Sequence, residues 1–314
     1  MPPPDISIVV CTYNRASSLR LTLAALAAQA LSSEIAWEIL VIDNNSTDST
    51  RSVAQEFIAA SSIPARYTFV AAQGLSRARN AGIAESKADV VAFTDDDVSP
   101  ATDWVEQIAA AMERENSDIV GGRIMPMWSS EPPPWLQHRP ALHAALAIMD
   151  YPSRAAIVAA GQMPGVWGAN MAFRRRVFDK VGVFDTRRGL VGGTLHRGEE
   201  IDLVARALAA GCRAVYDPRV VVSHRVDHQR MRLTYLSRLY FQRAEGDALV
   251  PPACGIVASG ASASAYRLAA RAVAIWLGAT ARRRPDAIER WLDCCAAAGS
   301  VWGRHKSRHR TAPA

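Results

Sequence analysis

Apolar and polar positions in the first hundred residues alternate between two periods. Ile6 to Cys11 (Ile-Ser-Ile-Val-Val-Cys) is a short run of β-formers, fit for a strand buried on both faces. Leu19, Leu23 and Leu26 then share one face of a helix predicted over Leu19 to Leu31, with Ser17 or Ser18 available to cap it. The pattern repeats as strand Trp37 to Ile42, helix Ser49 to Ala60, strand Tyr67 to Val70, a turn at Gly74 and helix Ser76 to Ser86. It then reaches an apolar strand starting at Val90. Strand and helix in strict alternation predict an α/β fold with a mainly parallel, Rossmann-like sheet flanked by helices.

Downstream the pattern changes. Thr102 or Asp103 caps a helix to about Glu115, and Ser117 to Gly122 reads as a short strand. Seven prolines (Pro126, Pro132, Pro133, Pro134, Pro140, Pro152, Pro164) break up Arg123 to Pro164, which predicts a loop-rich insertion. Regular structure returns at Val166 to Phe173 and in a helix from Arg174 to Val181. A glycine-rich loop, Gly189 to Gly198, leads into Glu199-Glu200-Ile201-Asp202-Leu203 and a helix ending near Gly211. Ala214 to Tyr216 and Val220 to Ser223 are predicted strands with His224 just beyond, and the remainder is a helical, alanine-rich extension.

The strand from Val90 runs directly into Asp95, Asp96 and Asp97. Extended chain would send Asp95 and Asp97 one way and Asp96 the other. Two like charges there repel by about 1 to 4 kcal/mol unless neutralised. Oxygen ligands favour Mg²⁺ or Mn²⁺ over zinc, and magnesium usually shares its sphere with substrate phosphates. The competing reading is a solvated acidic turn. In open parallel sheets ligands bind at the carboxyl ends of the strands, where the polar runs after Cys11, Ile42 and Thr94 all lie. A nicotinamide site needs Gly-x-Gly-x-x-Gly after the first strand, and Cys11 to Ser17 contains no glycine.

Composition narrows the class. The 314 residues are 49% hydrophobic, normal for a globular core, and the five cysteines include no Cys-x-x-Cys pair. That pattern, a start of Met-Pro-Pro-Pro-Asp without a signal-peptide profile, and no apolar run near the ~20 residues of a spanning helix lead us to expect a soluble or peripheral cytoplasmic protein. The net charge of +6 is concentrated after Ala261, where ten Lys and Arg face Asp286, Glu289 and Asp293. The main body lacks the basic, aromatic-laced face of a nucleic-acid reader, so no nucleic-acid partner is expected.

With these pieces in place, the chain resembles family 2 glycosyltransferases of the GT-A fold over roughly Asp5 to His228. The likeness rests on Thr12-Tyr13-Asn14, Val41-Ile42-Asp43-Asn44-Asn45-Ser46-Thr47-Asp48, Gly74-Leu75-Ser76-Arg77-Ala78-Arg79-Asn80-Ala81-Gly82, Asp95-Asp96-Asp97 and Gly198-Glu199-Glu200-Ile201-Asp202-Leu203. It implies an inverting, metal-dependent transfer from a nucleotide-diphosphate sugar to an acceptor hydroxyl, in cell-surface polysaccharide or glycolipid synthesis. Residues 1–122 would form the nucleotide-sugar half and 123–230 the acceptor and catalytic-base half of one GT-A domain, with 231–314 as the extension. Thr12, Tyr13, Asn14 and Asp43 would line the nucleoside pocket. Arg79, rather than Arg77, and Asn80 would lie near the pyrophosphate, and Asp48 is read as a turn or cap residue.

The same resemblance has Asp97 ligating Mn²⁺ or Mg²⁺ directly, Asp95 facing the ribose and the metal's water shell, Asp96 on the nucleotide-sugar side, and His224 in a position used by some relatives for a further metal ligand. It sets Trp167 and Asn170 under the sugar. The base is the second acid of a Gly-Glu-Asp element, which here is Glu200, a departure that lengthens the side chain; Glu199 or Asp202 could share or replace it. The alternatives are acids that merely complement a helix start, and a core Trp167. A catalytically silent nucleotide-sugar-binding protein and a nucleotidyltransferase are the competing functions, the latter lacking its glycine-rich loop. Ala265 to Ala281 reads as a basic amphipathic helix, to lie peripherally on the inner face of an anionic plasma membrane or to dock on the main domain.

Overall fold

The computed structural model describes residues 3–32, 34–137, 139–151, 154–159, 165–250 and 262–310. Pro152 and Pro164 of the insertion, and the side chains of Arg308 and Arg310 in the basic tail, lie outside the described residues.

Strand β1 (Ile6–Thr12) is buried at every position and sends its side chains alternately into two cores. Ile6, Ile8 and Val10 enter the first, with Leu19, Leu23 and Leu26 of α1 (Ala16–Ala27). Val9 and Cys11 enter the second. The sheet is therefore covered on both faces. The chain continues through β2 (Trp37–Asp43), α2 (Thr50–Ala60), β3 (Ala65–Phe69), α3 (Leu75–Glu85), β4 (Val90–Asp95), β5 (Val98–Pro100) and α4 (Trp104–Arg114). Helices α1, α2 and α4 supply the first core, and α3 the second. Each fully buried Leu contributes about 1.5 to 3 kcal/mol. At Gly82 an added Cβ would lie 2.4 Å from Val9 Cγ1, so the glycine lets α3 rest directly on β1.

Next come β6 (Ile119–Trp128), α5 (Pro134–Gln137), α6 (Pro140–Ala145), β7 (Ala156–Ile157), β8 (Asn170–Arg174), α7 (Arg175–Val181), α8 (Glu199–Ala209) and β9 (Ala214–Val226). Among the described residues, nine strands form one sheet in the order β3-β2-β1-β4-β8-β6-β9-β5, with β7 added to β9. Its first half, β1 to β4, is parallel as expected; β8 then pairs antiparallel to both β4 and β6. Helices α7 and α8 complete the second core with Phe178, Leu203 and Val204.

Strands β6 and β9 are longer than the sequence predicts. They run parallel to each other from Ile119↔Ala214 to Trp128↔Val226, with a shift at Gly122/Arg123 that skips residues 218–220. Pro218 falls in that irregularity, where a missing N–H costs no ladder bond. His224 consequently lies inside β9, opposite Val98 of β5. Helix α1 also starts earlier than expected, with Arg15 at its N-cap position and no side-chain cap.

The chain divides into two compact units. All nine strands and α1 to α4, α7 and α8 belong to the first, residues 1–129, 147–186 and 199–226. The second comprises residues 130–146, 187–198 and 227–314. It holds α5, α6 and three longer helices, α9 (Leu233–Leu249), α10 (Ser262–Ala281) and α11 (Ala287–Arg310). Helices α9 and α11 approach so closely that a Cβ at Gly299 would meet Phe241 O at 2.0 Å. Trp276 of α10 packs on Trp291 of α11 with centroids 5.0 Å apart.

Candidate active site

The carboxyl ends of β1, β2 and β4 lie side by side, with Thr12 in register with Asp43 and Cys11 with Asp95.

Strand β4 ends at Asp95, and Asp96 and Asp97 form a tight turn into β5. The expected alternation of the three carboxylates therefore stops at Asp95. Arg15 Nη1 reaches both Asp97 Oδ2, at 2.5 Å, and Asp96 Oδ1, at 3.4 Å. Nor is the turn solvated, because Asp96 and Asp97 are each only 6% exposed. Its backbone is braced from a distance. The Thr22 hydroxyl is shared between Asp96 O and Val98 O, and Arg225 donates to Asp96 O from its side chain and to Asp97 O from its main chain. Burial pushes the Asp96 carboxyl up to about 7 against the pull of Arg15, with Asp97 adding to the rise. The Asp95 carboxyl is raised by burial too, partly offset by Arg79.

Arg79 is 3% exposed and lies between Glu199 and Asp95, with Nη1 to Glu199 Oε1 at 2.6 Å and Nη2 to Asp95 Oδ1 at 3.6 Å. Its guanidinium also sits 5.5 Å from the centroid of the Phe184 ring. Gly168 makes room for it, since a Cβ there would lie 2.2 Å from Arg79 Nη2. Arg77, two positions earlier, is exposed. Burial disfavours the Arg79 charge, but Glu199, Asp95 and Glu200 outweigh that and raise its pKa. Glu199 and Glu200 are buried at the start of α8, and Glu199 Oε2 has no hydrogen-bond partner among the described residues. Asp202 is held by Arg206 at 2.9 Å, one helical turn on, and Arg206 in turn donates to the carbonyls of Val181 and Val183.

The remaining polar residues brace the edge. Asp43 accepts from Ser46 N and the Tyr67 hydroxyl, and Asn14, at φ 51°, accepts at Oδ1 from the amides of Thr47 and Asp48. Asp48 takes the turn role read from the sequence, accepting from Ala16 N and Thr50 N. Asn80 exchanges two hydrogen bonds with the Phe184 backbone. The Asn170 carboxamide accepts from Trp104 Nε1 and donates to Arg123 O and Val220 O. Trp167 packs against the first core, half-buried, while Tyr13 and the Asp95 side chain are exposed enough to meet a ligand.

For a cation, the donor set fits. His224 Nε2 lies 3.5 Å from Asp97 Oδ1, close to the about 3 Å that separates neighbouring ligands of an octahedral Mg²⁺ or Mn²⁺. Among the described residues no three His, Cys, Asp or Glu close into a full cage.

Sequence reasoning singled out the aspartates, Arg79, His224 and the α8 acids but missed Arg15 and Arg225. Arg15 directly follows the Thr12-Tyr13-Asn14 run, a local signal that was available. Arg225 had none, because its partners Ser18, Thr22 and Asp96 are brought to it only by the fold.

Comparison with known proteins gives the family and the fold. Residues 7–182 match the model of the family described as glycosyl transferase family 2. The pre-mycofactocin glycosyltransferase of Mycobacterium tuberculosis is 27% identical over 237 residues, 76% of this chain but 46% of that protein, so the chain spans less than half of that relative. The glucosyl-dolichyl phosphate glucuronosyltransferase of Haloferax volcanii is 26% identical over 74% of this chain and 72% of its own length. Among solved structures, the Pyrobaculum calidifontis mannosyltransferase PcManGT, in complex with GDP-Man and Mn²⁺, superposes with a TM-score of 0.59 at 19% identity, covering 99% of this chain and 89% of its own. Staphylococcus aureus TarS 1-349 with UDP-GlcNAc gives 0.56 at 13% identity, covering 98% and 92%. At such identities the structural likeness is one of fold, the GT-A type.

Proposed function

The chain belongs to glycosyl transferase family 2, and on that premise we propose that it is an inverting glycosyltransferase that moves a sugar from a nucleotide diphosphate to an acceptor hydroxyl. The observation that carries this reading is the Arg79 bridge, which links the strand-end Asp95 to Glu199 at the head of α8, 120 residues beyond Arg79 in the chain. A donor-side acid turn and an acceptor-side acid pair thereby share one edge of the sheet.

In this reading Thr12, Tyr13, Asn14 and Asp43 form the nucleoside side, and Asp95 and Asp96 stand between it and the diphosphate. Asp97 and His224 would hold Mn²⁺ or Mg²⁺, which supplies stabilisation of the charge that grows on the departing diphosphate. Glu200 takes the acceptor proton as the hydroxyl oxygen bonds to the anomeric carbon and the carbon–phosphate oxygen bond breaks. General base catalysis of this kind contributes about 10² to 10⁴ in rate. One displacement inverts the anomeric centre. Arg79 holds Glu199 in place beside the base, while Asn80 and Asn170 hold the surrounding backbone, with Trp167 beneath the sugar. The bracing of the Asp96–Asp97 turn by Thr22 and Arg225 presets the metal seat before substrate arrives.

We assign the acceptor to a sugar or lipid-linked sugar of the kind named for the Haloferax relative, and the protein to cell-surface polysaccharide or glycolipid synthesis. Helix α10 supports peripheral membrane attachment. Tyr266, Leu268, Val273, Ile275 and Leu277 are exposed on it, Arg267 and Arg271 are exposed beside them, and no Asp or Glu occurs between Ser262 and Pro285. No helix among the described residues is long and apolar enough to cross a membrane.

Thermal melting with UDP, GDP, TDP or CMP, each with and without Mn²⁺, tests the donor site. A ligand at a hundred times its dissociation constant adds about 2.7 kcal/mol. One nucleotide should stabilise the wild type only with metal, and Asp97→Ala should lose that response; no shift with any nucleotide would refute the donor site. Glu200→Gln should then bind donor without turnover, whereas full activity would remove Glu200 as base.

A further inference from the structure

Arg15 stands at the N-cap position of α1, beside the acid turn, and its main chain is fixed there. Arg15 N donates to Thr50 Oγ1 at 3.4 Å and Arg15 O accepts from Leu19 N at 2.9 Å. Its side chain is committed at a single atom. Nη1 makes both carboxylate contacts, to Asp97 Oδ2 and to Asp96 Oδ1, while Nε and Nη2 make no hydrogen bond among the described residues. The Nε–Nη2 edge of a guanidinium is a fork that matches two oxygens of one phosphate. At 39% exposure, the side chain is within reach of a solute.

Asp97 faces two ways. Its Oδ2 holds Arg15 at 2.5 Å, while its Oδ1 lies 3.5 Å from His224 Nε2, its partner in the proposed cation seat. A guanidinium so close to that carboxylate opposes a divalent ion there, because like charges at this range repel strongly away from bulk water. Asp96, at 3.4 Å from Nη1, is the weaker of the two partners and could not hold Arg15 as firmly alone. A diphosphate removes the conflict. It brings negative charge to the same edge, so Arg15 can exchange a carboxylate for phosphate oxygens.

We propose that Arg15 is a donor-binding residue: it takes the diphosphate on its Nε–Nη2 edge, and by resting on Asp97 until then it makes cation binding depend on the donor. This rests on the donor reading given above. A cation alone has to displace Arg15 with nothing given in exchange. A diphosphate alone draws Arg15 away and strips the buried Asp97 of its 2.5 Å partner. When both bind, each charge finds a counterpart, so each ligand tightens the other by the same factor.

Titration calorimetry of the full-length protein with Mn²⁺ and with UDP, GDP and TDP, each alone and in the presence of the other, tests this without turnover. In the wild type one diphosphate should tighten Mn²⁺ by more than tenfold. In Arg15→Ala, Mn²⁺ alone should bind more tightly and that diphosphate, with Mn²⁺ present, about tenfold or more weakly, so that the mutual factor falls. Arg15→Lys keeps the positive charge but not the fork, and should retain the weak binding of Mn²⁺ alone while still losing affinity for the diphosphate. It also serves as the second variant if Arg15→Ala does not fold. Unchanged affinity of Arg15→Ala for either ligand, or of Arg15→Lys for the diphosphate, overturns the proposal and leaves the donor site standing. If no diphosphate binds the wild type with Mn²⁺, the donor reading itself falls, and the proposal with it.

Discussion

Arg15 and Asp97 form an ion pair at 2.5 Å, so a guanidinium rests on the very carboxylate assigned to the metal. Cation and Arg15 therefore compete for Asp97. Arg15→Ala should lower the metal-free stability by about 1 kcal/mol and the melting point with it, since the guanidinium is 39% exposed and solvent screens much of its charge. Added Mn²⁺ should narrow the gap to wild type, and the variant should bind Mn²⁺ more tightly in a direct titration. Identical metal-free melting of the two proteins would show that the pair contributes nothing.

The Arg79–Glu199 bridge is buried on both sides, at 3% and 4% side-chain exposure, and its loss should be costly. Arg79→Met leaves Glu199 without its buried counter-charge, for which about 3 to 5 kcal/mol is expected. Arg79→Lys should recover only part, because one ammonium cannot span to both Glu199 and Asp95 as the fork does. Urea unfolding of both variants measures this. A cost below about 1 kcal/mol for Arg79→Met would mean that water reaches the pair.

Gly168→Ala tests the same bridge from its other side. The added methyl would lie 2.2 Å from Arg79 Nη2 and push the buried guanidinium from its place between Asp95 and Glu199, so urea unfolding should show part of the about 3 to 5 kcal/mol expected for loss of the bridge. A displacement of about 1 Å at a positioning group costs on the order of 10² in rate, and we expect kcat to fall by about that factor with KM less affected. Unchanged kcat would separate Arg79 from the reaction.

A pH effect is expected far from the site. Asp217, fully buried, accepts from Arg219 at 2.8 Å and Arg114 at 2.9 Å. Burial pushes its carboxyl upward, but the bonds from Arg219 and Arg114 prevail and hold it below its usual 3.8. A carboxyl lowered in the folded state adds stability above its unfolded pKa and loses it as pH falls through the folded value. The wild type should thus weaken below about pH 4. Asp217→Asn should melt lower at pH 7 and show a shallower decline in acid; parallel pH curves would remove Asp217 as a contributor.

Membrane attachment predicts that the protein sediments with anionic vesicles at low salt and is released by high salt, each surface arginine adding up to about 1 kcal/mol. Leu268→Asp or Arg271→Glu on α10 should reduce the bound fraction. Sedimentation equal to wild type in both would assign that face to another partner.

The alternation from Ile6 to Asp95 was legible because the apolar period is local to each strand and helix, even where the pairing partner is distant, as β4 is from β1. Leu19, Leu23 and Leu26 are buried as their spacing predicted, and the polar runs do lie at strand ends. What the sequence hid depends on distant pairing. The lengths of β6 and β9 come from each other, overriding Pro126 and Pro218. The acid triplet was read as a strand continuing, whereas Arg15, Thr22 and Arg225 hold Asp96 and Asp97 in a turn that no local pattern specifies.

Arg225 also sets an order of events during synthesis. It joins Ser18, Thr22 and Asp96 across 207, 203 and 129 residues. Contacts of such separation form late, after most loop-closure entropy has been lost. On the ribosome the aspartate turn emerges long before the residue that braces it, so the nascent chain carries Asp96 and Asp97 without their final geometry. Donor binding should therefore switch on only when β9 has joined the sheet, which ties competence to completion of the first unit.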